Sequence, residues 1–292
     1  ARAATGDYLG TAVRDSRTSH AETPSFEGKS ILAVDDNPVN REVLRETLGA
    51  LKIAVTFAVN GQDAVEKAAA GAFDIILMDG SMPVMGGIEA TQLIRAHEAK
   101  TRSPRTRLLA LTAQVSGDDA NTWRSAGADG YLTKPFTMER LVAALSDADS
   151  PEAAMPAGQP GPSEVTGELL AMDTLASMDA LGSQSGRNVR QRIWTMFHAE
   201  APRACTGMAT LINSGAARPE IVRHAHALKS MALSAGAKRV AQICESLERD
   251  AGNGLPRDVL AETLVSLASA LEATYDAMGF NTDGETPARS AS

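Results

Sequence analysis

Residues 75–83 read Ile75-Ile76-Leu77-Met78-Asp79-Gly80-Ser81-Met82-Pro83. Four apolar residues in succession, without polar alternation, mark a strand covered on both faces, and the Gly and Pro that follow end it. A carboxylate at the end of such a strand lies where parallel sheets bind ligands, beyond the carboxyl edge. The same unit repeats on either side. Ile31 to Val34, Ile53 to Ala58, Leu108 to Leu111, and Tyr131 with Leu132 are further short apolar runs. Helical patterns separate them, among them Val39, Val43, Leu44, Leu48 and Ala64, Val65, Ala68. Five β-α units predict a doubly wound, five-stranded parallel sheet between two layers of helices. Asn37 is placed to cap the first helix with Pro38 in its first turn, and Ser116 to cap a later one.

The chain has 292 residues, enough for about two domains. Pro151, Pro156, Pro160 and Pro162 with Gly158 and Gly161 read as a linker over 149–164, which bounds a first domain at 27–148. Beyond it the pattern is purely helical. Val189, Ile193, Met196 and Phe197 form one stripe; Val240, Ile243, Cys244 and Leu247 a second; Leu260, Leu264, Leu267, Leu271 and Met278 a third. With the segment Ile221 to Ala235 these predict an up-down four-helix bundle over 165–280. Residues 1–26 and 281–292 lack periodicity and read as tails. The expected class is α/β followed by all-α.

Charge narrows the function. Lys and Arg total 28 against 36 Asp and Glu, a net −8, and neither domain is basic: 13 against 15 over 28–148, and 11 against 12 over 165–280. The electrostatic footprint of a nucleic-acid binder is missing, so no nucleic-acid partner is expected. No run approaches the roughly 20 apolar residues of a membrane span, and no signal peptide is legible, so a soluble, cytoplasmic chain without membrane contact is expected. Cys205 and Cys244 have no metal-ligand spacing and read as buried thiols, which suit a reducing compartment. A start at Ala1 suggests a fragment of a longer protein, whose parent could be a membrane-associated sensor.

Asp35 and Asp36 close the first strand as Asp79 closes the third. Three converging carboxylates raise one another's pKa unless a cation sits among them, and a hard divalent ion such as Mg²⁺ fits such oxygen ligands. Thr112 and Lys134, after the fourth and fifth strands, add a hydroxyl and an ammonium to the same rim. Gly28-Lys29-Ser30 matches the end of a P-loop but precedes its strand, and an aspartate phosphatase of the haloacid dehalogenase kind would need an acid where Ser81 stands.

With Val-Asp35-Asp36-Asn-Pro-Val-Asn, Leu-Met-Asp79-x-x-Met-Pro83-x-Met-x-Gly87, Leu-Thr112-Ala and Tyr131-Leu-Thr-Lys134-Pro135-Phe, residues 28–148 resemble the receiver domain of two-component signalling. The resemblance implies a flavodoxin-like fold and Asp79 as phosphoacceptor. It implies Mg²⁺ on Asp36, Asp79 and the Ser81 carbonyl, with Asp35 acting largely through water. Thr112 takes the switch hydroxyl, Tyr131 the coupled aromatic, and Lys134 the charge partner of the phosphoryl group. Gly80 and Gly86 stand where a larger residue and an Asp are common in that family, which would loosen the loop.

On a helix, His224 and His226 point about 200° apart. Ile221, Ala225, Leu228 and Ala232 form the buried stripe; His224 lies near its edge and His226 well away, beside Lys229 and Ser230. Ala225-His226-Ala-Leu228-Lys229-Ser230 followed by Ser234-Ala-Gly236-Ala resembles the histidine phosphotransfer (Hpt) domain. The resemblance implies phosphate on Nε2 of His226, Lys229 facing it, and a small Ser230 leaving room for a partner. The pairing resembles the C-terminal end of a hybrid sensor histidine kinase. It implies a phosphorelay from a kinase phosphohistidine to Asp79, then to His226, then to a downstream response regulator receiver. No nucleotide-binding glycine loop is present, so ATP is used elsewhere. Two other readings stay open: a stand-alone receiver-Hpt protein serving a separate kinase, and a non-catalytic docking module.

Overall fold

A computed structural model describes residues 26–112, 117–146 and 168–280 of the chain. Residues 1–25, the linker, the C-terminal tail and the Ser116 cap lie outside these residues, while Phe26, expected in the N-terminal tail, is buried in the sheet core because its ring packs into the cluster of Ile31, Ala33 and Leu44.

The first domain is a parallel five-stranded sheet in the order β2-β1-β3-β4-β5. Its strands are β1 (Ser30–Val34), β2 (Ala54–Ala58), β3 (Ile75–Asp79), β4 (Arg107–Thr112) and β5 (Gly130–Thr133). Helices α1 (Pro38–Ala50), α2 (Gly61–Ala70), α3 (Gly87–Thr101), α4 (Gly117–Ala126) and α5 (Met138–Ser146) connect and follow them. The uninterrupted apolar strands do serve two faces. Ile31, Ala33, Ile75, Leu77, Leu109 and Leu111 join Leu44, Leu48, Leu141 and Leu145 under α1 and α5. Their neighbours Leu32, Val34, Ile76, Met78, Leu108 and Ala110 join Ala64, Ala90, Ile94 and Trp123 under α2, α3 and α4. Asn37 caps α1, its side-chain oxygen accepting from the Val39 amide at 2.9 Å, with Pro38 behind it. Strand order reverses between β1 and β3, so the ends of these two strands, where Asp35, Asp36 and Asp79 stand, flank the crevice at which such folds bind ligands.

The second domain is helical throughout its described residues: α6 (Met172–Ser185), α7 (Val189–Asn213), α8 (Arg218–Ala235), α9 (Lys238–Gly252) and α10 (Arg257–Met278). Helices α7 to α10 form the bundle, each packed on the next and α10 closing on α7. The expected stripes meet in its core, where Ile193, Phe197, Ile221, Leu228, Val240, Cys244, Leu247 and Leu267 are all buried. Helix α6 is an addition to the four, packed on α7 and also on α1 of the first domain. No described helix is long and apolar enough to cross a membrane.

The two domains share an interface built on α1, which touches α6, α7 and α8. Val39 is fully buried and belongs to the core of the bundle, whereas Leu44 and Leu48 of the same helix face the sheet. Helix α1 is therefore apolar on two sides. Asn40 fixes the register: its amide donates to Ser230 Oγ at 2.9 Å, and the Ser234 hydroxyl donates to its Oδ1 at 2.7 Å.

Candidate active site

The strand ends bring Asp35, Asp36, Asp79 and Lys134 together. Lys134, two residues beyond Leu132 of β5, is buried and donates to Asp35 Oδ2 at 2.6 Å and to Asp79 Oδ1 at 2.9 Å. Burial alone would drive such an ammonium toward its neutral form, but the two carboxylates outweigh it and raise its pKa. Asp35 is saturated by protein donors: Lys134, the Asn37 amide at 2.9 Å, and the Asn40 side chain at 3.1 Å to each oxygen. Asp79 receives Lys134 and the Gly80 amide at 2.9 Å, both on Oδ1.

One lysine does not neutralise three acids. Burial, then repulsion from Asp35 and Asp79, pushes Asp36 up to about 6 against the pull of Lys134. Asp79 is also pushed up, by burial foremost. Each of Asp35, Asp36 and Asp79 offers an oxygen within 4.8 Å of the others. A compact, partly buried set of oxygen donors carrying excess negative charge matches what a hard divalent cation requires. Thr112 closes β4 one residue past Leu111, the register partner of Asp79, and Tyr131 on β5 is partly buried against the core beneath α3 and α4.

The loop after Asp79 is tighter than its glycines suggest. A Cβ on Gly80 would lie 3.2 Å from the Trp123 ring, so the indole of α4 occupies the room a larger side chain would take. A Cβ on Gly87 would meet the Asp79 carbonyl oxygen at 2.0 Å, an approach only glycine permits.

His226 lies across the interface, half-buried on α8, and the turns that follow it touch the receiving edge of the first domain. Asn37 reaches the Ala227 carbonyl at 3.5 Å, and Asn40 bridges Asp35 to Ser230. Asp35 shares Lys134 with Asp79, and Ser230 stands one turn beyond His226, so the Asn40 bridge joins the acidic edge to the His226 turn of α8. His224 is turned to its own helix, its Nδ1 2.9 Å from the Glu220 carbonyl. Ser230 and Lys229 are buried, so Ser230 serves as a hydrogen-bonding partner as well as leaving room.

One residue to which sequence reasoning assigns no role completes the site. Glu248 of α9 places Oε1 2.8 Å from His226 Nδ1 and Oε2 2.6 Å from Lys229 Nζ. Burial opposes its charge, but His226 and Lys229 hold its pKa below the usual carboxylate range. An ionised carboxylate only accepts, so Nδ1 carries a proton, and in the neutral tautomer this fixes Nε2 as the nitrogen with the lone pair. The available signal was an acid four residues after Cys244, on the edge of an apolar stripe.

A family model for the response regulator receiver domain matches residues 31–146, and one for the Hpt domain matches residues 192–278. The virulence sensor protein BvgS of Bordetella pertussis is 31% identical over 269 residues, covering 86% of this chain and 21% of that protein. Sensor protein GacS of Pseudomonas syringae pv. syringae is 40% identical over 121 residues, 40% of this chain and 13% of that protein. A solved chain from the complex of a Saccharomyces cerevisiae histidine phosphotransfer protein with the receiver domain of its downstream response regulator is 35% identical, covering 40% of this chain and 85% of that one, with a TM-score of 0.38. The chain spans between 3% and 21% of the length of the curated relatives it matches.

Proposed function

Because residues 31–146 are a response regulator receiver domain and residues 192–278 an Hpt domain, we propose that the chain is a two-station phosphorelay, passing a phosphoryl group between Asp79 and His226. The observation that carries this reading is the shared interface: Asn40 bonds both Asp35, which shares Lys134 with Asp79, and Ser230, one turn beyond His226 on the docked bundle.

Asp79 attacks a phosphohistidine through its second oxygen; an O–P bond forms, the N–P bond breaks, and the electron pair remains on the departing imidazole nitrogen. Lys134 holds Oδ1 and so orients the attack. In the onward step His226 Nε2 attacks the phosphoryl group of phospho-Asp79. An N–P bond forms as the O–P bond breaks, and the carboxylate returns to Lys134. Glu248 keeps the proton on Nδ1 and balances the cationic character that grows on the ring. Lys229, paired with Glu248 Oε2 at 2.6 Å, would face the phosphoryl oxygens. Thr112 and Tyr131 act as the switch hydroxyl and coupled aromatic. Asp36, Asp79 and the Ser81 carbonyl would hold Mg²⁺, with Asp35 acting through water, and the bound ion would neutralise charge on the transferring oxygens.

The donor is a kinase phosphohistidine and the final acceptor a downstream receiver. The catalytic core of a hybrid sensor histidine kinase, acting in the cytoplasm, would supply the first. Incubation with acetyl phosphate and Mg²⁺ tests the route. The parent chain should carry both acyl phosphate and phosphohistidine, His226→Gln the acyl phosphate alone, and Asp79→Asn neither, while His224→Gln behaves as the parent. Equal labelling of the parent and Asp79→Asn would refute the assignment of Asp79, and a parent that takes no label would leave a docking module.

A further inference from the structure

Glu42 and Glu46 stand one turn apart on α1 and are nearly buried, at 5% and 4% exposure. Like charges at that spacing repel, and covering them costs their hydration. Among the described residues the receiver answers with Arg45 alone, 3.4 Å from Glu42 Oε2. The remaining cations come from the bundle. Arg192, in the first turn of α7, brings Nε to 2.9 Å from Glu42 Oε1 and Nη1 to 3.8 Å from Glu46 Oε1. Arg187, just ahead of α7, reaches the same Glu46 oxygen at 3.4 Å. The Arg192 contact is not aligned as a hydrogen bond, since Glu42 Oε1 has no such partner, so it acts through charge.

This cluster stands apart from the phosphoryl route. It touches none of Asp79, Lys134, His226 or Glu248, and both arginine side chains stay more than half exposed even when docked, at 55% and 66%. Charges placed so steer encounter and penalise wrong partners more than they add raw affinity, because a like charge in either place is repelled. The neutral contacts of Val39 and Asn40 with the bundle seat α1 without reading charge.

We propose that Arg187 and Arg192 form a charge reader on the bundle which selects, for docking over His226, a receiver with two carboxylates one turn apart on its first helix. Its own receiver meets that requirement through Glu42 and Glu46. A downstream receiver that takes phosphate from His226 must approach the same face, so it is expected to carry the same acidic pair. The inference rests on the phosphotransfer reading above.

Charge exchange in the full chain tests it, with acetyl phosphate and Mg²⁺ loading Asp79 and the initial rate of phosphohistidine formation as readout. Glu42→Arg with Glu46→Arg, and separately Arg187→Glu with Arg192→Glu, should each slow that rate about tenfold or more while Asp79 still labels as in the parent. The fourfold exchange should restore it to within about threefold of the parent. Glu42→Gln with Glu46→Gln, which keeps shape and removes charge, should give a smaller loss that does not deepen with added salt. Parent-like transfer in both charge-reversed pairs overturns the charge reader, as does a fourfold exchange that labels Asp79 normally but recovers nothing. A parent chain that never forms phosphohistidine would instead sink the phosphotransfer reading itself.

Discussion

Asp36 shows how a single residue stores the tension that a cation would release. Its folded pKa is about 6 against an ordinary 3.8, through burial and then repulsion from Asp35 and Asp79. A raised carboxylate binds its proton more tightly when folded, so stability is gained as pH falls through 6 toward 4 and lost as pH rises. The tighter hold on that proton is worth about 3 kcal/mol as an upper bound. In EDTA, the first unfolding transition of the intact chain should therefore move up as pH is lowered from 7 to 5. Asp36→Asn should raise the pH 7 midpoint without metal and flatten the profile, and added Mg²⁺ should raise the parent midpoint but not that of the variant. A parent midpoint indifferent to both pH and Mg²⁺ would contradict the electrostatic picture. The repulsion was legible in sequence, because acids at two strand ends must converge on one edge. Glu248 was not, since its meeting with His226 depends on how α9 lies against α8, and sequence spacing of 22 residues carries no such angle.

At the scale of the element, α1 explains what periodicity can and cannot reveal. Val39, Val43, Leu44 and Leu48 read as one helical stripe, and that is enough to place the helix between its strands. The structure divides them: Leu44 and Leu48 pack on the sheet, while Val39 joins the core of the bundle and Val43 packs against it. A hydrophobic period reports that a helix has buried faces, not which domain covers each. Strands β1, β3 and β4 are legible because uninterrupted apolar runs admit few other readings, whereas the weakly amphipathic α6 gives too faint a period to stand out as a fifth helix beside the bundle. The division of α1 has separable consequences. Leu48→Ala should lower the receiver's thermal stability by about 2–5 kcal/mol and weaken Asp79 labelling. Val39→Ala, at a fully buried site in the interface, should leave Asp79 labelling intact and slow onward transfer to His226 several-fold. Equal damage to labelling by both substitutions, read from acetyl phosphate time courses and thermal melts, would place Val39 in the receiver's own core instead.

For the whole molecule, the Pro- and Gly-rich stretch between the domains suggests only a tether, with no face on either domain marked for the other. Docking is illegible in the sequence because its contacts, Asn40 with Ser230 and Ser234, and Arg192 with Glu42, join residues some 150 to 190 positions apart through ordinary polar side chains. The domains that carry Asp79 and His226 are docked, so on the proposed relay transfer between them would be a unimolecular event with no encounter between chains. The most direct measurement is the concentration dependence of phosphohistidine formation after Asp79 is loaded. In the intact chain the rate constant should stay unchanged over about a hundredfold range of protein concentration. Mixing a His226→Gln chain with an Asp79→Asn chain forces the reaction between molecules, where it should be slower and rise with concentration. An intact chain matched by that mixture at low micromolar concentration would contradict an internal relay, because Asp79 and His226 would then be serving separate partners.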